Sequence, residues 1–181
     1  MKQNILKTDR LILRPFTLDD AKDVQAIAGD KAVADTTEQI PHPYPDGVAE
    51  EWIATHAEAF AAGEAINCAI VLQDTGVLIG NVGLQIAKKD KRGLLGYWMK
   101  QSEWGNGYAT EAATALINYA FEEHGLHKVY AEYISRNPAS GRVMEKIGMK
   151  QEGILKEHML KNGVYEDVVV CGMIVNELHV S

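Results

Sequence analysis

A glycine-containing loop leads into a long helix at residues 103–123, EWGNGYATEAATALINYAFEE. Gly105 and Gly107 come first, and from Thr110 the apolar positions recur every three to four residues, which is typical of one helix face. Unpaired backbone N–H groups and the helix dipole make such a helix start suitable for an anion. The loop lacks the Lys-Ser/Thr ending of a P-loop and the third glycine of a dinucleotide fingerprint. It therefore predicts a diphosphate cradle built from amides, and the alternative is a tight turn without a ligand.

The segments around this helix predict the topology. A strand at 94–99 precedes it, Gly125 ends it, and a strand at 128–134 follows, so the three elements form a βαβ crossover with parallel strands. The other predicted strands are 9–15, 67–72, 77–87, 154–160 and 164–174, and the other predicted helices are 17–28, 48–62 and 137–146. Asn162-Gly163 between the last two strands is a strong hairpin signal. We predict an α+β fold with a mixed, mostly antiparallel sheet, one parallel crossover and helices on both faces.

Composition narrows the classes of protein. The chain has 181 residues, is 46% hydrophobic and shows no linker or repeat, which favours a single domain over residues 1–181. No apolar run reaches the roughly 18 residues of a membrane span, and the N-terminus lacks a secretory h-region, so we expect a cytoplasmic protein without a membrane partner. A net charge of −7 argues against a nucleic-acid partner.

The two cysteines, Cys68 and Cys171, lie far apart in apolar stretches. Neither belongs to a CxxC motif or a Cys/His cluster, so we predict buried free thiols and no metal site.

A second motif, SRNPASGRVMEKIGMKQEG from Ser135, predicts a short helix that begins at Asn137 and ends at Gly148. With WGNGYATEA, TDRLILRPFTLDDA from Thr8 and GVYEDVVVCGMIV, it completes four stretches whose order resembles the GNAT superfamily of acetyl-CoA-dependent N-acetyltransferases. Within it, the chain is similar to the RimJ/RimL-like branch, which acts on ribosomal-protein N-termini. The resemblance spans residues 8–174. It implies acetyl-CoA as co-substrate and a primary amine as acceptor, and it leaves a homodimer open because relatives often form one.

The resemblance also implies a set of cofactor-binding residues. The residues around the pyrophosphate would be Trp104, Gly105, Asn106, Gly107, Tyr108, Ala109 and Thr110. Tyr97 and Met99 would pair with the pantetheine arm through their backbone. Asn137 would hydrogen-bond the pantetheine or its linkage, and Ser140 would lie close to the thioester sulfur. Relatives often open the loop with Arg or Gln where this chain has Trp104.

The implied chemistry is direct attack of a neutral amine on the acetyl thioester. A backbone N–H on the strand ending at Met99 is the candidate oxyanion donor. Many relatives carry a Tyr acid seven residues after the Asn, where this chain has Met144, so Ser140 is the candidate proton donor. A Glu base of the RimL-like branch aligns with Met159.

Other side chains are candidates for the base. Glu132 lies mid-strand, where alternation should allow only one of Glu132 and Tyr133 to face the acceptor. His42, in a proline-rich loop expected to overhang the acceptor site, is a further candidate, and Glu38 is a weaker one. Glu111 is expected to stabilise the helix dipole instead.

Because Met159 and Met144 replace the Glu base and the Tyr acid of relatives, the sequence does not identify the acceptor amine. An α-amino group with a pKa near 8 is partly neutral at pH 7, whereas a lysine amine near 10.4 is not, which favours a protein N-terminus. A small-molecule amine (polyamine, amino acid or antibiotic) is the alternative acceptor. A catalytically silent acyl-CoA-binding protein and a nucleotide-binding protein are alternatives of another class.

Overall fold

The computed structural model describes residues 3–178, which form one eight-stranded sheet in the order β1-β2-β3-β4-β5-β6-β8-β7. The strands are Leu6–Lys7 (β1), Leu11–Arg14 (β2), Ala65–Leu72 (β3), Leu78–Ala87 (β4), Arg92–Met99 (β5), Lys128–Ile134 (β6), Lys150–Lys161 (β7) and Val164–Ile174 (β8). Neighbouring strands pair antiparallel except for β5 and β6, which pair in parallel across the predicted crossover. The predicted α+β class and sheet topology are confirmed.

Helices cover both faces of the sheet, as predicted. They are Ala21–Ala28 (α1), Lys31–Ala34 (α2), Val48–Ala54 (α3), His56–Ala61 (α4), Tyr108–Glu123 (α5) and Pro138–Lys146 (α6). On β3, Cys68 and Ile70 pack into the core that holds α5, whereas Ala69 and Val71 pack into the core that holds α1 and α3. A strand buried on both faces needs a continuous apolar run, and this is why INCAIVL does not alternate with polar residues. Cys68 and Cys171 are buried free thiols, as predicted.

Several element boundaries differ from the prediction. The long helix begins at Tyr108, two residues before Thr110, because Gly107 already acts as its N-cap. The helix predicted over 48–62 is divided at Thr55 into α3 and α4. The helix predicted over 17–28 opens with a 3₁₀ turn at Leu18–Asp20. Strand β1 and helix α2, with two and four residues, are too short to show a hydrophobic period and were not predicted.

The two parallel strands separate towards their C-terminal ends. Their register runs from Arg92 opposite Lys128 to Leu95 opposite Ala131 and stops there, although β5 continues to Met99 and β6 to Ile134. We call the opening between residues 96–99 and 132–134 the notch. Backbone N–H and C=O groups that leave a ladder in this way can pair with a ligand instead.

Within residues 3–178, no helix combines the length and apolar character needed to cross a bilayer. The same part of the chain contains no group of three His, Cys, Asp or Glu side chains arranged to hold a metal ion.

Candidate active site

The glycine loop follows β5 after a single 3₁₀ turn at Gln101–Glu103. Gly105 and Gly107 both have φ of +82°, a left-handed conformation that costs other residues roughly 1–2 kcal/mol. Gly107 caps the 16-residue helix α5 without a side chain, so the first N–H groups of the helix are not satisfied by a cap. This geometry fits an anionic group held by backbone amides.

An ion pair supports the loop from the side of β2. Arg10 Nη1 donates to the carbonyl of Asn106 (2.9 Å), and Arg10 Nε donates to Glu111 Oε2 (2.7 Å). The Arg10 guanidinium also lies 4.5 Å from the ring centroid of Tyr108. Thr8 Oγ1 donates to Glu111 Oε1 (2.6 Å). Glu111, expected to act on the helix dipole, therefore also ties the N-terminal segment to the loop.

The charge state of Glu111 reflects these contacts. Partial burial raises its pKa, but hydrogen bonds from Thr8 and Arg10 and the charge of Arg10 outweigh this, so the pKa lies below its ordinary value. The carboxylate is thus charged at neutral pH and holds Arg10 in place.

A cavity of about 270 Å³ lies against the loop, and we call it the loop cavity. The predicted cofactor-binding residues that line it are Tyr97, Met99, Trp104, Gly105, Gly107, Tyr108, Ala109, Thr110, Asn137 and Ser140. Asn106 is the exception: its carbonyl accepts from Arg10, and its side chain donates to Glu103 O (3.2 Å). Arg142 and Lys146 of α6 also line the loop cavity and add positive charge. Their spacing of four residues on one helix face was the available signal for them in the sequence.

Asn137 stands at the start of α6 but does not cap it with its side chain. An Asn in this position usually accepts a hydrogen bond from its own helix. Here the backbone N–H of Asn137 donates to Ile134 O (2.7 Å) and its carbonyl accepts from Ser140 N–H (3.2 Å), which leaves its side-chain amide available. Because the residue lines the loop cavity, its amide fits the ligand contact that the resemblance implies.

Trp104 has a structural role at the loop entrance. Its indole Nε1 donates to the carbonyl of Met99 (2.9 Å), while the ring remains 44% exposed. The carbonyl of Met99 therefore already has a donor, which leaves its N–H as the group to consider for the predicted backbone contact.

A second cavity of about 370 Å³ lies chiefly beneath α1, α3 and the 36–44 segment, and four of its lining residues carry amides: Gln39, Asn67, Asn81 and Gln85. We call it the amide cavity. Trp52, expected either in the core or on an acceptor wall, packs on Phe16 with ring centroids 5.1 Å apart and also lines this cavity. The two cavities share Thr36, Tyr97, Trp98 and Ser140, so they meet at the notch.

Tyr97 and Ser140 are hydrogen-bonded where the cavities meet. The Tyr97 hydroxyl lies 2.8 Å from Ser140 Oγ and 3.0 Å from Ser140 O. Burial raises the pKa of Tyr97 to about 12, although the hydrogen bond with Ser140 opposes this, so the phenol is protonated at neutral pH. The sequence suggested only a backbone role for Tyr97, and no local pattern indicated its contact with Ser140.

The candidate bases are placed differently from one another. Glu132 and Glu38 both line the amide cavity. His42 lines neither cavity; it is exposed, with Nδ1 3.2 Å from Gly29 O. Tyr133 lines the amide cavity together with Glu132. Tyr133 also packs against the core that holds α5, with Val129 and Ala131, so the two side chains lie on opposite faces of β6 as the alternation predicts.

Met144 and Met159, which align with the Tyr acid and the Glu base of relatives, also line the amide cavity. Met144 is only 1% exposed and contributes to the core as well as to the amide cavity. Met159 lines the same cavity from β7, next to a register shift between Leu155 and Met159. Neither can move a proton. Hydroxyl or ionisable groups around the notch are carried instead by Thr36, Tyr97, Tyr133, Ser140 and the two glutamates.

Comparison with known proteins identifies the family. The model of the acetyltransferase (GNAT) domain matches residues 10–150. The chain belongs to the GNAT acetyltransferase family. This acetyltransferase is 32% identical over 176 residues to the uncharacterised N-acetyltransferase YoaA of Bacillus subtilis (strain 168), covering 94% of this chain and 96% of that protein.

Two ribosomal-protein acetyltransferases are also similar. The [ribosomal protein uS5]-alanine N-acetyltransferase of Escherichia coli (strain K12) is 33% identical over 79 residues, which is 44% of this chain and 41% of that protein. The structure of RimL, a ribosomal L7/L12 α-N-protein acetyltransferase solved in complex with coenzyme A, superimposes with a TM-score of 0.89 at 18% identity. That match covers 96% of this GNAT chain and 99% of the RimL chain and demonstrates the shared fold.

Proposed function

We propose that this GNAT protein transfers the acetyl group of acetyl-CoA to a protein N-terminal α-amine. The observation that carries the proposal is the junction of the loop cavity and the amide cavity at Tyr97 and Ser140. A thioester in the first cavity and an amine in the second would meet at the notch. The names of the uS5 and RimL relatives support an N-terminal amine as acceptor.

The loop cavity binds coenzyme A in this proposal. The amides at the start of α5 hold the diphosphate, with Arg142 and Lys146 adding charge, and Asn137 donates to the pantetheine arm. When bound, acetyl-CoA supplies the activated acetyl group. The backbone of residues 96–99, released from the β5–β6 ladder, binds the arm and directs an N–H at the carbonyl oxygen.

Proton transfer is assigned to residues at the notch. Ser140 donates its hydroxyl proton to the leaving sulfur, and Tyr97 stabilises the serine oxygen by donating to it. Glu132 accepts the proton of the attacking amine, directly or through water. A thiol is a good leaving group, with a pKa near 8.5, so this donor contributes less than it would to the departure of an alkoxide.

A small-molecule amine is a second candidate acceptor. Glu38 and Glu132 line the same cavity and would pair with the separated cations of a polyamine. The two candidates, a protein N-terminal amine and a polyamine, differ in which acceptor the protein will acetylate.

The test is a turnover assay of thiol release on three matched acceptors: a peptide with a free α-amine, the same peptide with its N-terminus blocked and an internal lysine free, and spermidine. We expect turnover on the first alone. Turnover on spermidine alone would favour the second candidate. Coenzyme A binding without turnover on any amine would contradict the proposed transfer and favour a catalytically silent protein.

A further inference from the structure

The floor of the amide cavity carries two asparagines on a sheet face that otherwise packs apolar residues into the core. Strand β3 presents Ala69 and Val71 to the core of α1 and α3, yet on the same face of the sheet Asn67 of β3 and Asn81 of β4 line the cavity. Asn81 stands opposite Ala69, and Asn67 stands opposite Gly83, so the two amides occupy neighbouring positions of one surface. A buried polar side chain on an otherwise apolar sheet face is the informative exception, because such groups normally have a hydrogen-bond partner.

Asn81 has an unsatisfied amide. The residue is 6% exposed, and its Oδ1 has no hydrogen-bond partner in the part of the chain that the structure describes. A buried polar group left unpaired costs about 1–3 kcal/mol. His56 is unpaired in the same way, but it packs against Phe16 and Trp52 and lines neither cavity. Asn81 is therefore the buried unpaired side chain that borders the proposed acceptor site.

Asn81 lies close to the notch, where the acceptor amine would react in the proposed function. It stands opposite Trp98 on β5, a residue that lines both cavities beside the notch. Further along the strand, Gly83 and Gly96 stand opposite each other, so neither residue contributes a side chain of its own to the cavity floor. A Cβ at Gly83 would lie 2.5 Å from Asn67 Oδ1, so the Asn67 amide rests directly over this glycine. The amides thus follow one another away from the notch.

The spacing matches an extended peptide. Asn67 stands opposite Gly83, two positions from Asn81 on β4, so the two asparagines are diagonal neighbours on adjacent strands, about 7–8 Å apart. An extended chain covers a similar distance in two residues, so an acceptor whose α-amine lies at the notch would bring one peptide unit to Asn81 and a later one to Asn67. An asparagine offers both a donor and an acceptor, which matches the N–H and C=O of a peptide unit. A polyamine has no carbonyl to use this floor.

We propose that Asn81, with Asn67 beyond it, binds the first backbone amides of the acceptor and selects a peptide over a simple amine. The inference rests on the proposed function and specifies how the same site recognises its acceptor. Asn81 acts here as a specificity-determining residue through its own amide.

The experiment combines a variant with a changed acceptor. The peptide of the turnover assay is compared with its depsipeptide, in which an ester replaces the first peptide bond, using wild-type protein and Asn81→Leu. In the wild type we expect the ester to raise KM about tenfold, and we expect Asn81→Leu to raise KM for the peptide by a similar factor. The ester should then cost Asn81→Leu little more, because the two changes remove one contact. The KM for acetyl-CoA should not change.

A matched control separates recognition of the acceptor by Asn81 from a purely structural role of this residue. Gln151→Leu removes an exposed amide of β7 that lines neither cavity, and its KM should equal that of the wild type. Asn81→Leu should melt no lower than the wild type, since the lost amide oxygen has no partner within the described residues and its unpaired burial is itself unfavourable. If the wild type turns over peptide and depsipeptide equally, or Asn81→Leu leaves the peptide KM unchanged, the inference is overturned while the proposed function stands. If the wild type turns over no peptide at all, the proposed function fails, and the inference fails with it.

Discussion

The hydroxyl of Tyr97 on β5 lies 2.8 Å from the hydroxyl of Ser140 on α6, although 43 residues separate them in the chain. This contact lies where the loop cavity meets the amide cavity. It gives the notch two hydroxyl groups in series, one of them a buried phenol that stays protonated because burial raises its pKa to about 12.

Replacing Ser140 by Ala should lower kcat by about 10²-fold, at the lower end of the range for a positioned proton donor, since the leaving thiol needs little assistance. Coenzyme A affinity should be retained, because the loop amides and Asn137 supply most contacts in the proposal. Thiol release and a binding titration measure the two quantities. An unchanged kcat would remove Ser140 from the proton-transfer scheme.

Tyr97→Phe keeps the ring and the backbone of β5 and removes only the hydroxyl. We expect kcat to fall about tenfold, with KM for acetyl-CoA little affected, because one hydrogen bond to a developing serine oxygen is lost. The double variant with Ser140→Ala should be no slower than Ser140→Ala alone, as the two hydroxyls act in series. Additive losses would show that Tyr97 acts independently of Ser140.

The pH profile provides a second check on Tyr97. A phenol with a pKa of about 12 remains a donor throughout the neutral and mildly alkaline range. The Tyr97→Phe and wild-type rates should therefore keep a constant ratio between pH 7 and 9. A ratio that converges on one as the pH rises through this range would mean that the hydroxyl is already losing its proton there.

Arg10→Ala should raise KM for acetyl-CoA several-fold and leave kcat nearly unchanged. Arg10 holds the carbonyl of Asn106 and is itself held by Glu111, so its loss releases the loop without touching the notch. Arg92→Ala is the matched control, because Arg92 is an exposed residue whose nearest carboxylate, on Asp90, lies 3.6 Å away. Equal KM values for the two variants would argue that the ion pair does not support the loop.

His56 should make the free energy of unfolding depend on pH. Its burial lowers the pKa from 6.5 to about 4, so the unfolded chain binds a proton at a higher pH than the folded chain does. Stability is therefore full above about pH 6.5, falls as the pH decreases towards 4, and loses about 3 kcal/mol in total from this group. Denaturant unfolding of His56→Phe between pH 7 and 4 should show a shallower decline than the wild type.

The control for His56 is His158→Phe, since His158 is exposed. Its decline in stability with falling pH should match that of the wild type. A His56→Phe curve parallel to the wild-type curve would mean that the folded protein accommodates the protonated imidazole.

The sequence by itself determined the elements that depend on neighbouring residues. The spacing of apolar residues after Thr110 predicted α5, Asn162-Gly163 predicted the last hairpin, and the strand-helix-strand order around the glycine loop predicted the parallel pair. These features follow from local geometry, because helix and strand periods and positive φ at glycine need no distant partner. With the family motifs added, ten of the residues that line the loop cavity were named as well, although Arg142 and Lys146 were not.

The tertiary structure alone decided the features that join distant segments. Arg10 and Glu111 are 101 residues apart, and neither their hydrogen bond nor the role of Arg10 has a local signature. The same holds for the notch, where the β5–β6 ladder stops at Leu95 opposite Ala131, and for the unpaired Asn81 beneath the proposed acceptor. His42 was a candidate from its place in a proline-rich loop, yet it lines neither cavity. A contact between side chains depends on how the sheet twists and the strands separate, and this is set by packing over the whole molecule, which no short stretch of sequence contains.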